Sequence, residues 1–517
     1  MIEPTIFLGP PGTGKTTTLL DIVDQEMLNG VPPDRIGFMT FTKRGVEEAV
    51  NRAAKRFNLP QSKFRYFNTL HSAAFRHLGL NPNQVFVGKK IRQFGDTFGY
   101  DLHGGLSSDD GTYTNFWGDD LILFYENYAR ITRQPVEIIF SEYDYMIPDS
   151  ERAWRCIKDF QRFKQENGLY DFTDMLQEFI RIDDPPRLEV LIIDEAQDLS
   201  ELQWEMVFSL ARYAKRIYIA GDDDQTIFTW AGASERFISM PGCVTILEQS
   251  HRVPITVHQL ANRMIDKVVH RRSKTWKPRP ETGSFSVLED LTQLDSKVLY
   301  SSESTMLLSR TSKGLRRRFV PFCRVNGLLY RYFDSPSIKP AFAKAIDAWL
   351  RLHQGGRIPV ADVVSVYDLL PSEGHGKKPG VGYGYKSRLK RMAEQDEPPE
   401  LSLQELKHEY GLLIDGAWNE VFVQLEPRDV EYIQKVVENG TSILDKPRIH
   451  ISTIHRVKGG QADTVILLSE TAKAAEKFAS TNQDEETRVF YTAVTRTFRD
   501  LIVVSPDSRY HFGGLFT

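Results

Sequence analysis

Along this chain, short apolar runs alternate with stretches whose apolar residues fall near helical spacing. Residues 5–8 (TIFL), 36–42 (IGFMTFT), 188–193 (LEVLII) and 216–220 (RIYIA) read as strands. Between them a helix is predicted from about Lys15, and a second carries Val46, Val50, Ala53 and Ala54 on one face. Continuous apolar strands joined by amphipathic helices predict an α/β fold with a parallel sheet covered on both faces.

The pattern runs twice, and each copy is interrupted. Between 79 and 169 it gives way to a Gly/Ser/Asp-rich loop (103–113) and helical segments rich in Trp, Tyr and Arg. A second α/β unit is predicted from about 283, with strands at 305–309, 449–452, 463–468 and 500–504, broken by helical and Gly/Pro-rich stretches at 336–444. The expected division is therefore 1–78 with 170–282 as one unit, and 283–335 with 445–517 as the other. Residues 79–169 and 336–444 would be insertion subdomains. No short fixed period appears, which argues against a solenoid.

Composition narrows the setting. A chain of 517 residues is too long for a single core. It is 41% hydrophobic and 26% charged, the balance of a soluble globular protein. No apolar run is long enough to span a bilayer, and the N-terminus runs straight into a strand, so an intracellular protein without membrane attachment is expected. Cys156, Cys243 and Cys323 are too scattered for a disulfide framework or a metal-ligand spacing. The net charge of −4 argues against bulk electrostatic binding to nucleic acid but leaves room for a local basic groove.

The chemistry begins at GPPGTGKTTT, placed between a strand and a helix. Glycines there let successive backbone N–H groups turn toward one anion, and the helix N-terminus adds its dipole. Gly9, Gly12, Thr13, Gly14, Lys15, Thr16 and Thr17 are the candidate nucleotide-binding residues, with Lys15 reaching the terminal phosphates and the Thr16 hydroxyl on Mg²⁺. The second half is LEVLIIDEAQD, an apolar strand delivering Asp194 and Glu195 at its end. Asp194 would hold Mg²⁺, and Glu195 would orient and deprotonate the attacking water.

With these motifs placed, the chain resembles the UvrD/Rep/PcrA-like helicases of superfamily 1. The ordered blocks that carry the resemblance are Thr40–Gly45, Thr69–Ser72, Asp194–Asp198, Gly221–Gly232, Leu247–Arg252, Thr453–Gly459 and Glu485–Arg496. The resemblance implies two RecA-like domains closing on ATP and Mg²⁺, with Gln225 sensing the terminal phosphate and water. Arg252 and Arg496 would be cationic clamps on the transferring group. It also implies contacts to single-stranded DNA from Phe41, His71, Phe228, Trp230, His455 and Lys458. Exposed aromatics give sequence-tolerant stacking. Core packing competes with that reading for Phe41 and Phe228, whereas Trp230, in a polar turn, is expected to stand exposed to DNA.

Three departures from the family pattern bear on nucleotide choice. The sequence begins only a few residues before its first strand, so the family's adenine-reading glutamine is expected to be missing. His251 stands where a base-stacking tyrosine is usual, and Gln461 replaces a glutamate. All three reduce base recognition and leave the phosphate chemistry intact, so relaxed nucleotide preference is expected.

Within the second insertion, residues 374–391 gather Lys377, Lys378, Lys386, Arg388, Lys390 and Arg391 with Tyr383 and Tyr385 and no acid. This tract fits either contact with a duplex or fork, through Lys377, Lys378, Tyr383 and Tyr385, or a solvated loop. A second basic stretch, His270–Lys277, is read as structural linkage, and Arg316–Arg318 as a solvated helix face. The sequence ends soon after its last strand, so no nuclease or docking module is expected within it. The function implied is an ATP-dependent motor moving 3′→5′ on single-stranded DNA and unwinding single-strand/duplex junctions. The alternative is an ATPase subunit that gates a partner nuclease, or strips proteins from DNA with little unwinding alone. Partners in replication, repair or recombination fit either reading.

Overall fold

The computed structural model describes residues 2–40, 43–103, 118–142, 150–295, 298–299, 302–371, 380–395, 398–470, 483–505, 514 and 516. It is an α/β protein built on one parallel and one mainly parallel sheet.

The first sheet comprises β1 (Thr5–Leu8), β2 (Ile36–Met39), β3 (Phe67–Asn68), β4 (Val190–Ile193), β5 (Arg216–Gly221) and β6 (Cys243–Ile246). Its order is β3-β2-β4-β5-β1-β6 and every pairing is parallel. β2 and β4 are buried along their whole length, which is why they read as unbroken apolar runs. Helices cover both faces. Leu19, Leu20 and Val23 of helix Lys15–Leu28 pack on one side, and Trp204 and Val207 of helix Glu201–Leu210 on the other.

The second sheet begins with β7 (Ser284–Leu288), β8 (Thr305–Ser309), β9 (Tyr330–Tyr332) and β10 (Ser335–Pro336). Strands β11 (Arg357–Pro359) and β12 (Glu400–Ser402) form a separate two-stranded ribbon. The sheet resumes with β13 (Ile449–Thr453), β14 (Ala462–Leu468) and β15 (Thr497–Val504), in the order β10-β9-β13-β8-β14-β15-β7. Among the described residues of this sheet, only the β9–β10 pair is antiparallel. The edge strands β3, β6, β7 and β10, and the short β9 beside β10, escape the sequence pattern because each is brief or half exposed, leaving no continuous apolar run.

The described part of the first interruption is helical: Lys89–Phe98, Asp120–Thr132, Val136–Glu142 and Ser150–Glu166. It has an aromatic core of its own, in which Phe86, Phe94, Phe160 and Phe163 meet edge-on or tilted. Burying each such ring contributes about 1.5–3 kcal/mol. The second interruption carries helices Pro340–His353, Val360–Leu369, Tyr385–Ala393 and Pro427–Glu438, and shares one core with a face of the second sheet. A third cluster bridges the two units, joining Ile227, Phe228 and Val253 to Ile454, Val457, Phe490 and Tyr491.

The run Arg316–Arg318 is part of a π-turn, Leu315–Phe319, ahead of Pro321, which has no N–H to continue the helical ladder. Arg316 and Arg317 are exposed, while Arg318 pairs with Glu470 at 3.1 Å. Among the described residues no helix is long and apolar enough to cross a membrane.

Candidate nucleotide site and the cleft between the sheets

The phosphate loop follows β1. The Gly9 N–H is anchored to the Gly221 carbonyl at 3.0 Å, and the Thr13 hydroxyl donates to the Pro10 carbonyl at 2.8 Å. Gly12 and Gly14 sit at φ +75° and +83°, conformations that L side chains rarely adopt. A Cβ on Gly12 would lie 2.4 Å from the Arg252 Cβ. That crowding comes from segment 250–252, which clasps the loop. The Ser250 hydroxyl donates to the Pro11 carbonyl at 2.7 Å, and the His251 N–H to the Gly12 carbonyl at 2.8 Å.

Lys15 opens helix Lys15–Leu28, and its ammonium donates to the Gly9 carbonyl at 2.7 Å. The Thr16 hydroxyl donates to Asp194 Oδ2 at 2.8 Å, bringing together two residues far apart in sequence. A hydroxyl and a carboxylate converging beside a phosphate loop are the hard oxygen ligands that Mg²⁺ takes together with phosphate and water, so the residues fit that ion. Thr17, one residue on, is exposed.

Glu195 turns the chain sharply, at φ +55°. For a residue with a Cβ such a conformation costs roughly 1–2 kcal/mol, and here the Glu195 N–H gains a bond to Asp194 Oδ1 at 2.9 Å. Burial and the adjoining Glu195 push Asp194 above the ordinary carboxylate range. Burial would raise Glu195 too, but Lys15 and then Lys458, with a 2.6 Å bond from Gln197, hold it below its usual value.

The opposite wall comes from the second unit. Arg496, 1% exposed, follows helix Gln483–Val494 and donates to Gln225 Oε1 and to the Thr492 carbonyl at 3.0 Å. Gln225 in turn donates from Nε2 to Asp222 Oδ2 at 2.6 Å. Arg252 donates from Nε to Gln461 Oε1 at 2.9 Å, so Gln461 meets the phosphate-loop side through that arginine. Burial lowers Arg252 to about 10, and burial plus the repulsion of Arg252 lowers Arg496 to about 9. Both remain cations at neutral pH. Lys15, Arg252, Lys458 and Arg496 all act electrostatically on one carboxylate, Glu195, which follows β4 beside the phosphate loop. The His251 side chain is exposed at the rim.

The residues expected along a DNA path are not all at open surface. Lys458 lies in the cleft, bonded to the Asp198 carboxylate and, at 2.7 Å, to the Gln225 carbonyl. His455 is 4% exposed, and burial, Arg310 and Lys458 drive it well below the usual imidazole range. Phe228 is buried beneath both, with the Lys458 ammonium 5.2 Å from its ring centre and His455 edge-on at 5.9 Å. Trp230, expected to stand exposed, is half-buried and meets His455 edge-on at 6.2 Å. The reason is tertiary. The second unit closes over its turn through His455, and the first insertion reaches it through Ile131, beside Gly232.

His71 is half-buried, edge-on to Phe172 at 5.7 Å, on a helix capped by Thr69, whose hydroxyl accepts from the Ser72 N–H at 3.2 Å. Phe41, Lys377 and Lys378 lie outside the described residues. Tyr383 is 99% exposed, while Tyr385 opens a helix and packs so tightly on Gly411 that a Cβ there would be 2.3 Å from its ring. The tract that looks free of acid in sequence meets one in space: Lys386 and Lys390 reach Asp368 at 2.6 and 3.5 Å.

The sequence motifs contain Asp198, Asp222 and Ser250 without singling them out, and Lys274 lies in the stretch His270–Lys277 read as structural linkage, a role its contacts with Asp222, Asp223 and Asp224 fit. Only the run Asp222-Asp223-Asp224 hinted at them, since three adjacent carboxylates after a buried strand require counter-charges from elsewhere.

Residues 2–240 match the UvrD/REP helicase N-terminal domain, and residues 448–504 the UvrD-like helicase C-terminal domain. YjcD of Bacillus subtilis (strain 168), provisionally named an ATP-dependent DNA helicase, is 22% identical over 98% of this chain and 77% of its own length. The ATP-dependent DNA helicase PcrA of Staphylococcus aureus (strain Mu50) is 24% identical over 56% of this chain, which spans only 42% of that relative. Among solved structures, the helicase of an arterivirus, nonstructural protein 10, aligns with 99% of this chain and 62% of its own, at 11% identity and a TM-score of 0.34.

Proposed function

Because the chain belongs to the UvrD/Rep/PcrA-like superfamily 1 helicases, we propose that it is an ATP-dependent DNA helicase that moves 3′→5′ on single-stranded DNA and unwinds duplex ahead of it. One observation carries the reading most directly: beside the phosphate loop and the Thr16–Asp194 pair, Arg496 and Lys458 of the second α/β unit reach across the cleft to Gln225 of the first.

In this reading the backbone N–H groups of 12–16 and the Lys15 ammonium bind the β- and γ-phosphates of ATP. Thr16 and Asp194 would hold Mg²⁺, which when bound supplies neutralising charge to the phosphates. Glu195, kept ionised by its cationic neighbours, accepts the proton of the attacking water. Gln225 positions that water, and Arg252 and Arg496 meet the charge that spreads over the equatorial oxygens. Because Arg496 comes from the second unit, the site is complete only when the cleft is closed. Hydrolysis and release then open it, and that alternation moves the strand.

Steady-state ATPase with and without single-stranded DNA, for wild type and Glu195→Gln, tests the chemistry. The substitution should lower stimulated turnover by roughly 10²–10⁴-fold while nucleotide binding persists. Strand displacement on duplexes with a 3′ or a 5′ tail tests the rest, and unwinding is expected only with the 3′ tail. Unchanged turnover would remove Glu195 as the base, and preference for the 5′ tail would overturn the polarity.

A further inference from the structure

Asp222, Asp223 and Asp224 follow β5 in succession, and all three are fully buried. Their counter-charges come from a segment some fifty residues on. Lys274, its side chain fully buried, places its ammonium 3.2 Å from Asp222, 2.5 Å from Asp223 and 3.0 Å from Asp224. Arg271 forks onto Asp224 at 2.7 and 2.6 Å, and the Arg272 N–H donates to Asp223 Oδ2 at 2.7 Å. Asp223 and Asp224 are therefore held by several donors. Asp222 is held likewise, one oxygen facing Lys274 and accepting from the Asp224 N–H at 3.3 Å, but its other oxygen accepts from the Gln225 side chain at 2.6 Å.

That contact fixes the direction of an amide. An ionised carboxylate only accepts hydrogen bonds, so the Gln225 atom facing Asp222 must be its NH₂. A guanidinium only donates, so the atom facing Arg496 must be the carbonyl oxygen. When Arg496 turns to a phosphate, the Asp222 contact still holds the amide from behind, leaving the carbonyl to accept from a water and one N–H free for a phosphate oxygen. Without Asp222 the amide could flip and offer a donor where the water needs an acceptor.

We propose that Asp222, fixed by Lys274, is a positioning residue that orients the Gln225 amide for hydrolysis. The proposal rests on the ATPase reading above and adds to it residues that act through Gln225.

A mutant cycle on single-stranded-DNA-stimulated ATPase tests it, using wild type, Asp222→Asn, Gln225→Ala and the double variant. An asparagine can offer its one oxygen to Gln225 or to Lys274, not to both. Asp222→Asn should lower kcat by about tenfold with KM for ATP changed less than about threefold, the pattern of a lost transition-state interaction. In the Gln225→Ala background the same change should cost less than about twofold, because residues acting through one another are not additive. Lys274→Arg, which keeps the charge, should retain most of the wild-type kcat. An equal loss in both backgrounds, or no loss in either, overturns the proposal. Should Asp222→Asn not fold, Asp222→Glu, which keeps the charge but displaces the carboxylate, takes its place in the cycle, and the same outcomes support or overturn the proposal. A wild type without ATPase would instead overturn the functional reading, so the two failures are distinguishable.

Discussion

Lys458 of the second unit and Asp198 of the first form a buried ion pair across the cleft, and the same ammonium holds the Gln225 carbonyl at 2.7 Å. The family resemblance places Lys458 on DNA, yet its charge is spent between the two units, where burial pushes Asp198 up to about 7 even with Lys458 beside it. Lys458→Ala should accordingly lower stimulated ATPase by tenfold or more, since removing one partner of a buried pair costs roughly 3–5 kcal/mol locally. Affinity for an oligo-dT strand, read by fluorescence anisotropy, should change less than about threefold, well short of a lost stacking platform. The reverse pattern would return Lys458 to the DNA path.

Gly232 ends the turn that carries Trp230. It sits at φ +90°, and a Cβ there would lie 2.7 Å from Ile131 Cδ1 of the first insertion. Gly232→Ala should destabilise the protein by about 1–2 kcal/mol from backbone conformation alone. By displacing the Trp230 turn it should also weaken single-strand binding. Thermal melts and anisotropy report the two effects, and an unchanged affinity would detach Trp230 from DNA.

His455 supplies a pH signature. Its imidazole is held neutral by burial and by Arg310 and Lys458, whereas in the unfolded chain it titrates near its ordinary value. As pH falls through about 6.5 the unfolded state gains a proton that the folded state does not, so this contribution is present above that value and lost below it. His455→Phe keeps an aromatic ring and removes the titration. The stability of wild type relative to His455→Phe should fall between pH 7.5 and 5.5, by at most about 1.4 kcal/mol per unit below the unfolded pKa. A pH-independent difference would show that His455 protonates in place.

Base recognition should be loose. His251 holds the phosphate loop by its backbone while its ring is exposed at the rim, and Gln461 is engaged by Arg252. With phosphate contacts dominant, kcat/KM for GTP and CTP should lie within about tenfold of that for ATP, because discrimination needs polar groups that a wrong base leaves unpaired. Strict ATP selectivity in matched steady-state assays would refute this.

The sequence by itself determined what is local. β1, the phosphate loop and helix Lys15–Leu28 are adjacent in the chain, and an apolar strand ending in Asp194-Glu195 specifies its own geometry, so these parts were legible as residues and spacing. The two-sheet architecture was legible too, because strands buried on both faces read as unbroken apolar runs, while brief edge strands such as β6 and β7 did not. Only the tertiary structure decided the partners of charges. Lys458 and Asp198, Lys274 and Asp222, Lys386 and Asp368, and Arg496 and Gln225 each meet across long separations. A lone lysine in sequence reads the same on a DNA path as in a buried cleft. Burial decides between them, because a charge taken from water must find its counter-charge, and where the chain brings that counter-charge is a property of the fold.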